Sequence, residues 1–205
     1  MELEFIPAIE YCNKIFDGTH DSPKEDILGT HKLITSKNIL TGTIDENDAY
    51  FILDKDYEHI QKRSAVQIND ILFSMIGTIG NVCYVNENPT YAIKNMGCFR
   101  CKTKEDAEWL YLYLRSDIAK AHINKLMNGS IQKFISLGKL EEFPILKKPK
   151  NYREIINVID NIDNQIKRNN DMVQKLPLMV INYITTIYRK LKSCFSWKGE
   201  MRYDC

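Results

Sequence analysis

The sequence has no run of about 18 apolar residues, the length a membrane-spanning helix needs, and no charged start leading into an apolar stretch. Neither membrane insertion nor secretion is expected, and a cytoplasmic address follows. It also lacks an excess of either charge: 28 Lys and Arg stand against 27 Asp and Glu, divided 19 to 21 over residues 1–150 and 9 to 6 over residues 151–205. A chain that holds nucleic acid unaided usually carries a basic surplus, so any DNA contact here needs a local patch or a partner's charge. The 6 cysteines, at 12, 83, 98, 101, 194 and 205, have no regular spacing. With no leader sequence beside them, they point to free thiols in a reducing compartment rather than to a disulfide framework.

Enzymatic motifs are equally scarce. Cys98-Phe99-Arg100-Cys101 has the spacing of half a zinc site, but no second pair stands at a comparable distance, so no metal centre is expected. Gly77-Thr78-Ile79-Gly80 lacks the Lys-Ser/Thr of a phosphate loop and reads as a tight hairpin turn. Asn88-Pro89-Thr90-Tyr91 is one residue away from the Asn-Pro-Pro-aromatic motif of amino-methyltransferases. No glycine-rich cofactor loop accompanies it, and a turn explains it more simply. His20 lies in Asp17-Gly18-Thr19-His20-Asp21-Ser22-Pro23, a turn-forming run in which a working His/Asp pair is the weaker reading. No nucleophile with its base and orienter can be assembled, so no catalytic residue and no bound cofactor is assigned.

What is present divides into two parts. Strands are expected at His31–Ser36, Ala49–Leu53, Asp70–Ile76, Asn81–Val85 and Tyr91–Cys101, with a turn between the second and third. Two helices follow: Thr103–Leu114, with Ala107, Leu110, Tyr111 and Leu114 on one face, and Ser116–Leu126, with Ile118, Ala119, His122, Ile123 and Leu126. The lysine-rich segment Pro144–Pro149 marks a boundary, placing one domain over residues 1–148. Beyond it, over residues 149–192, apolar positions step by four and three through Ile155, Ile159, Ile162, Ile166, Asn169, Val173, Leu176, Val180, Tyr183 and Ile187. That heptad stripe predicts a coiled-coil helix pairing with another helix, and Asn169 on the seam would fix register at a cost in stability. The alternative is an amphipathic helix packed on its own domain, which usually shows a wider and shorter stripe. Pro177 predicts a kink or division, and residues 193–205 read as a tail outside the pattern, possible disorder included.

Three polar loops combine amides, hydroxyls and a cation: Thr35-Ser36-Lys37-Asn38, Lys94-Asn95, and Asn128-Gly129-Ser130-Ile131-Gln132-Lys133. Such groups can read base edges or grip phosphate, and they serve equally well for capping and turns. Taken in order, several pieces of the chain resemble the specificity subunit of type I restriction-modification systems, or one half of it. They are Asp17-Gly18-Thr19-His20 with Pro23; Lys32–Ile39 with Gly42 and Ile44-Asp45; and Asn69-Asp70-Ile71-Leu72-Phe73-Ser74 leading to Gly77-Thr78-Ile79-Gly80. Further along come Gly129-Ser130-Ile131-Gln132-Lys133-Phe134-Ile135, Glu142-Phe143-Pro144-Ile145 and Ile162-Asp163-Asn164-Gln165-Ile166. The resemblance runs over about residues 5–190.

The resemblance implies an α+β protein: a sheet-centred target recognition domain with packed helices, then a long coiled-coil helix. A full subunit of this kind carries two such units, whose helices pack antiparallel and whose domains read the two halves of a split DNA site. This sequence has one, which suggests either a half-subunit that pairs with a copy of itself or a fragment. The resemblance further implies a non-catalytic protein that binds double-stranded DNA. Its partners would be adenine-methylating modification subunits, which carry S-adenosylmethionine, and motor-nuclease restriction subunits. The candidate DNA-contacting residues are Lys37, Asn38, Thr78, Lys94, Asn95, Ser130, Gln132 and Lys133. The alternative is a dimerisation or protein-binding module, or an inactive remnant of such a subunit.

Overall fold

The structure is a computed structural model describing residues 3–40, 42–128 and 134–196, apart from the side chains of 128 and 191–196. Contacts divide it into two compact units, one ending at Tyr152 and one beginning at Arg153.

The first unit opens with β1 (Phe5–Pro7), the single turn α1 (Ala8–Tyr11) and β2 (Cys12–Asp17). Next come β3 (His31–Thr35), a 3₁₀ turn (Ser36–Asn38), the short β4 (Ile39–Leu40) and β5 (Thr43–Ile44), β6 (Tyr50–Ile52) and α2 (Asp54–Ser64). Then follow β7 (Ile71–Ser74), β8 (Val82–Tyr84), β9 (Tyr91–Lys94) and β10 (Met96–Cys101). Helices α3 (Lys104–Arg115), α4 (Asp117–Asn128) and α5 (Leu137–Glu141) and strand β11 (Pro144–Leu146) close it. The main sheet runs β2-β10-β7-β8, all antiparallel; a second runs β6-β3-β9, with β3 and β9 parallel. Strand β7 is buried at every position, its apolar run Ile71–Phe73 ending at the buried Ser74. In the core lie Ile34, Ile39, Leu72, Ile93, Met96 and Cys98, all at most 1% exposed.

Two expectations need correction. The stretch Tyr91–Cys101 is not one strand: it breaks at Asn95, which takes the left-handed backbone (φ 53°). Asparagine tolerates that conformation better than most residues, and the break lets β9 join one sheet while β10 joins the other. The segment after β6 is not merely a turn but the eleven-residue helix α2, whose inward residues are few (Ile60 and Ser64 are buried). Its end charges, Asp54 and Asp56 in the first turn and Lys62 and Arg63 in the last, complement the helix dipole and were the signal available in the sequence.

Helix α3 is capped by Thr103, whose hydroxyl oxygen accepts from the Asp106 amide at 3.1 Å. Its aromatic tips tie the ends of the unit together: Trp109 Nε1 donates to the Leu146 carbonyl and the Tyr113 hydroxyl to that of Pro144, both at 2.7 Å. Strand β11 is thereby held beside β1, so the first and last strands of the unit are neighbours.

Helix α6 (Tyr152–Ser196), which from Arg153 onward belongs to the second unit, is 45 residues long and extends past the expected end at Lys192. It does not divide at Pro177; the missing donor costs one backbone bond, and the turns on either side carry the helix through. Residues 197–205, the rest of the expected tail, lie outside the described residues. On the seam, Ile155 and Ile159 are half-buried, while Ile162, Ile166, Asn169, Val173, Leu176 and Val180 are exposed.

Candidate nucleic-acid interface

Four of the residues singled out by composition meet on one face of the first unit. Gly18 donates its N–H to the Met96 carbonyl at 2.8 Å and Thr19 to that of Ile93 at 2.9 Å, while the Asn95 amide donates back to Thr19 at 3.1 Å. The end of β2 is therefore interlocked with the break between β9 and β10. The 3₁₀ turn joins them, Ser36 Oγ donating to the Asn95 carbonyl at 3.2 Å, and the β7–β8 hairpin follows, Thr78 Oγ1 donating to the Ser36 carbonyl at 3.3 Å. Lys94 Nζ donates to Ser22 Oγ, and Lys37 projects into solvent from the middle of the turn. Lys37, Thr78, Lys94 and Asn95 thus come from three separate stretches of chain to one polar face.

Gly18 is required at this junction by close backbone approach. A Cβ on it would lie 2.4 Å from the Ile93 carbonyl oxygen. Replacing Gly18 by Ala should therefore cost about 2 kcal/mol or more, read as a lower thermal unfolding midpoint. An unchanged midpoint would contradict the interlocked geometry.

Asn38 belongs inside the loop rather than on its surface. Its Oδ1 accepts from the Thr35 amide and hydroxyl, both at 2.9 Å, its Nδ2 donates to the Asp45 carbonyl at 3.1 Å, and the residue is 4% exposed. With both ends of the amide engaged, it shapes the turn that carries Lys37 and has no group to offer a base, which corrects its place among the candidates. Ser130, Gln132 and Lys133 lie outside the described residues. The first described residue after them, Phe134, bridges to Ile76 beside the same face.

The geometry adds two residues to the face: Arg63, and His20, which the sequence had placed in a turn. Arg63, at the end of the unexpected helix α2, forms an ion pair with Asp17, and His20 donates from Nε2 to the other Asp17 oxygen at 2.8 Å. The Asp17 side chain is only 10% exposed, with an arginine and a histidine in front of it. Two open clefts of about 380 and 390 Å³ flank the cluster, and Ile76 and Asn95 line both. The His/Asp contact considered in the sequence therefore exists, with the Asn95 amide as the third member.

Cys83, Cys98 and Cys101 sit elsewhere and are not activated. Burial pushes Cys83 up to about 11, and burial also raises Cys98; Cys101 is raised first by its hydrogen bond with Cys12 and then by burial. Among the described residues, no group of three or more His, Cys, Asp or Glu is placed to hold a metal ion, and no helix is long and apolar enough to cross a membrane.

The profile of the type I restriction modification DNA specificity domain matches residues 14–178, a span containing the whole polar face and much of α6. The chain belongs to this family. Its fold is similar to that of the type I restriction-modification S subunit from M. genitalium, with a TM-score of 0.56 at 16% identity over 86% of this chain and 43% of that one. It is also similar to the HsdS subunit from Thermoanaerobacter tengcongensis, with a TM-score of 0.55 at 17% identity over 81% and 38% of the two chains. A chain from a structure concerned with complex assembly and conformational transition of the type I R-M system gives 0.54 at 17%, over 81% and 39%. The specificity-domain chain spans about two fifths of the length of these structures. No curated protein sequence matches it significantly. The mixed α+β domain and long helix that the resemblance implied are both present.

Proposed function

We propose that this chain is a non-catalytic DNA-reading subunit of a type I restriction-modification assembly in the cytoplasm. The polar face of its domain reads one half of a bipartite target, and α6 pairs with the helix of a second copy. The observation that carries this reading is the convergence of Lys37, Thr78, Lys94 and Asn95 with Arg63 and His20, in a member of the specificity-domain family. Cations suit phosphates, while amide and hydroxyl groups suit base edges. Methyl transfer from S-adenosylmethionine then belongs to modification subunits, and DNA translocation and cleavage to restriction subunits. Their surfaces also supply the positive charge that this chain, at a net +1, does not have.

The helix supports the pairing. From Leu176 to Tyr188 its exposed apolar residues extend beyond the seam to Leu178, Met179, Ile181, Ile184 and Tyr188. One partner helix covers a seam; the remaining breadth gives a further subunit apolar surface to bind. With two identical domains related by a two-fold axis, the target is an interrupted palindrome, its half-sites on the order of one helical turn apart.

The face can be tested by substitution in the complex with a modification subunit. The double variant Lys37→Ala/Lys94→Ala should weaken binding to all DNA sequences alike and reduce the steepness of the salt dependence, by about 1 for each phosphate that a lysine no longer grips. Unchanged affinity and salt slope would remove this face from the DNA.

A further inference from the structure

We propose that Ile76, backed by Phe134, is a specificity-determining residue of the DNA-reading face and packs against the C5-methyl group of a thymine in the target. This inference rests on the DNA-reading function above and adds a base contact that the polar side chains of the face do not supply.

Ile76 is apolar where its surroundings are polar. It follows β7 at the start of the hairpin that carries Thr78, and it lines both clefts together with Asn95. It is 44% exposed, and Phe134, its partner in an antiparallel bridge, is 38% exposed. Single apolar side chains on a surface need no explanation, but these two are joined to each other beside the polar groups of the face. The backbone beneath them is held: the Ile135 amide donates to the Met75 carbonyl at 3.0 Å, and Ser74 Oγ donates to the Ile76 carbonyl at 3.2 Å. The cleft of about 380 Å³ continues the apolar surface through Met75, Ile135 and Leu137.

The chemistry of DNA narrows what such a patch can meet. A phosphate offers it nothing. In the major groove the base edges present hydrogen-bonding groups, and only thymine adds an apolar substituent, its C5 methyl. Removing water from that methyl and from Ile76 favours the contact whichever way the neighbouring amide is turned, and no proton is involved. An apolar side chain can instead enter between base pairs as a wedge that kinks the duplex. A wedge has to project alone beyond its neighbours, whereas Ile76 is one half of a bridged pair, less than half exposed, with clefts on either side.

The test uses the complex formed with a modification subunit. The bound sequence is found by selection from random duplexes, and each of its thymines is then replaced by uracil, which lacks only the C5 methyl. In the wild-type complex one position per half-site should lose about fourfold in affinity, the worth of one buried methyl. Ile76→Ala should erase the difference between thymine and uracil at that position and leave every other position as it was. Ile76→Val, which keeps a branched end, should retain part of it. A thymine-to-uracil difference that persists in Ile76→Ala, with or without a general loss of affinity, would make Ile76 a wedge or a structural residue and overturn the inference. So would a wild-type complex that accepts uracil at every thymine, or whose target holds no thymine, though DNA reading would then stand. A wild-type complex that binds DNA with no sequence preference would overturn both.

Discussion

Ile166→Asp in α6 should convert a dimer of the chain into a monomer at micromolar concentration, by size-exclusion chromatography with light scattering. Ile166 lies in the middle of the heptad stripe and is 51% exposed, so the substitution removes nothing from the core of the first unit. In a two-fold pairing the residue occurs twice, so the change buries two carboxylates without partners. Even about 4 kcal/mol raises the dimer dissociation constant by roughly a thousandfold. The unfolding midpoint of the recognition domain should stay where it was. A variant that remains dimeric would show that the seam is not the pairing surface, and attention would move to the broader apolar face between Leu176 and Tyr188.

Asp70→Ala should destabilise the domain by about 3–5 kcal/mol in urea unfolding, the largest stability effect expected of a single polar change. Asp70 is 1% exposed and grips Arg100 with both oxygens, at 2.8 Å from Nε and 2.7 Å from Nη2. It also accepts from the Gln67 amide at 2.8 Å, while Arg100 donates to the Ala65 carbonyl and lies over the Phe16 ring. The hydrogen bonds to Asp70 hold the guanidinium pKa above its usual value. Without the carboxylate, a largely buried cation is left with only a carbonyl and a ring to face. Adding Arg100→Met should recover much of the loss, since an apolar side chain of similar length needs no partner. A loss below about 1 kcal/mol would mean that the guanidinium reaches water, making the pair a surface one.

The two halves of the molecule were legible in the sequence to different degrees. The long helix was plain because its period of apolar residues runs over many turns, and even Pro177 did not hide it. Strands β3, β6, β7 and β8 were visible because each is an apolar or alternating run bounded by polar turns. Strand β2 and helix α2 were not: β2 offers only Cys12, Ile15 and Phe16 among polar residues, and α2 is charged along most of its length. The kink at Asn95 escaped because an apolar run on either side of a left-handed asparagine looks the same as one continuous strand. The functional face was visible residue by residue but not as a face. Lys37, Thr78, Lys94 and Asn95 carry the right chemistry, yet only the parallel pairing of β3 with β9 brings the first beside the last two. Asn38 looked identical to Asn95 by type, and only hydrogen-bond accounting separates an amide spent on its own loop from one with a free end. Arg63 was missed because its helix was missed.

The most direct measurement is to combine the purified chain with a type I modification subunit and S-adenosylmethionine, expose genomic DNA to the mixture, and map methylated adenine at single-base resolution. Methylation confined to one interrupted palindrome is the predicted result. A complex that forms but methylates adenines without a shared sequence, or leaves DNA unmodified, would contradict a DNA-reading role for this chain.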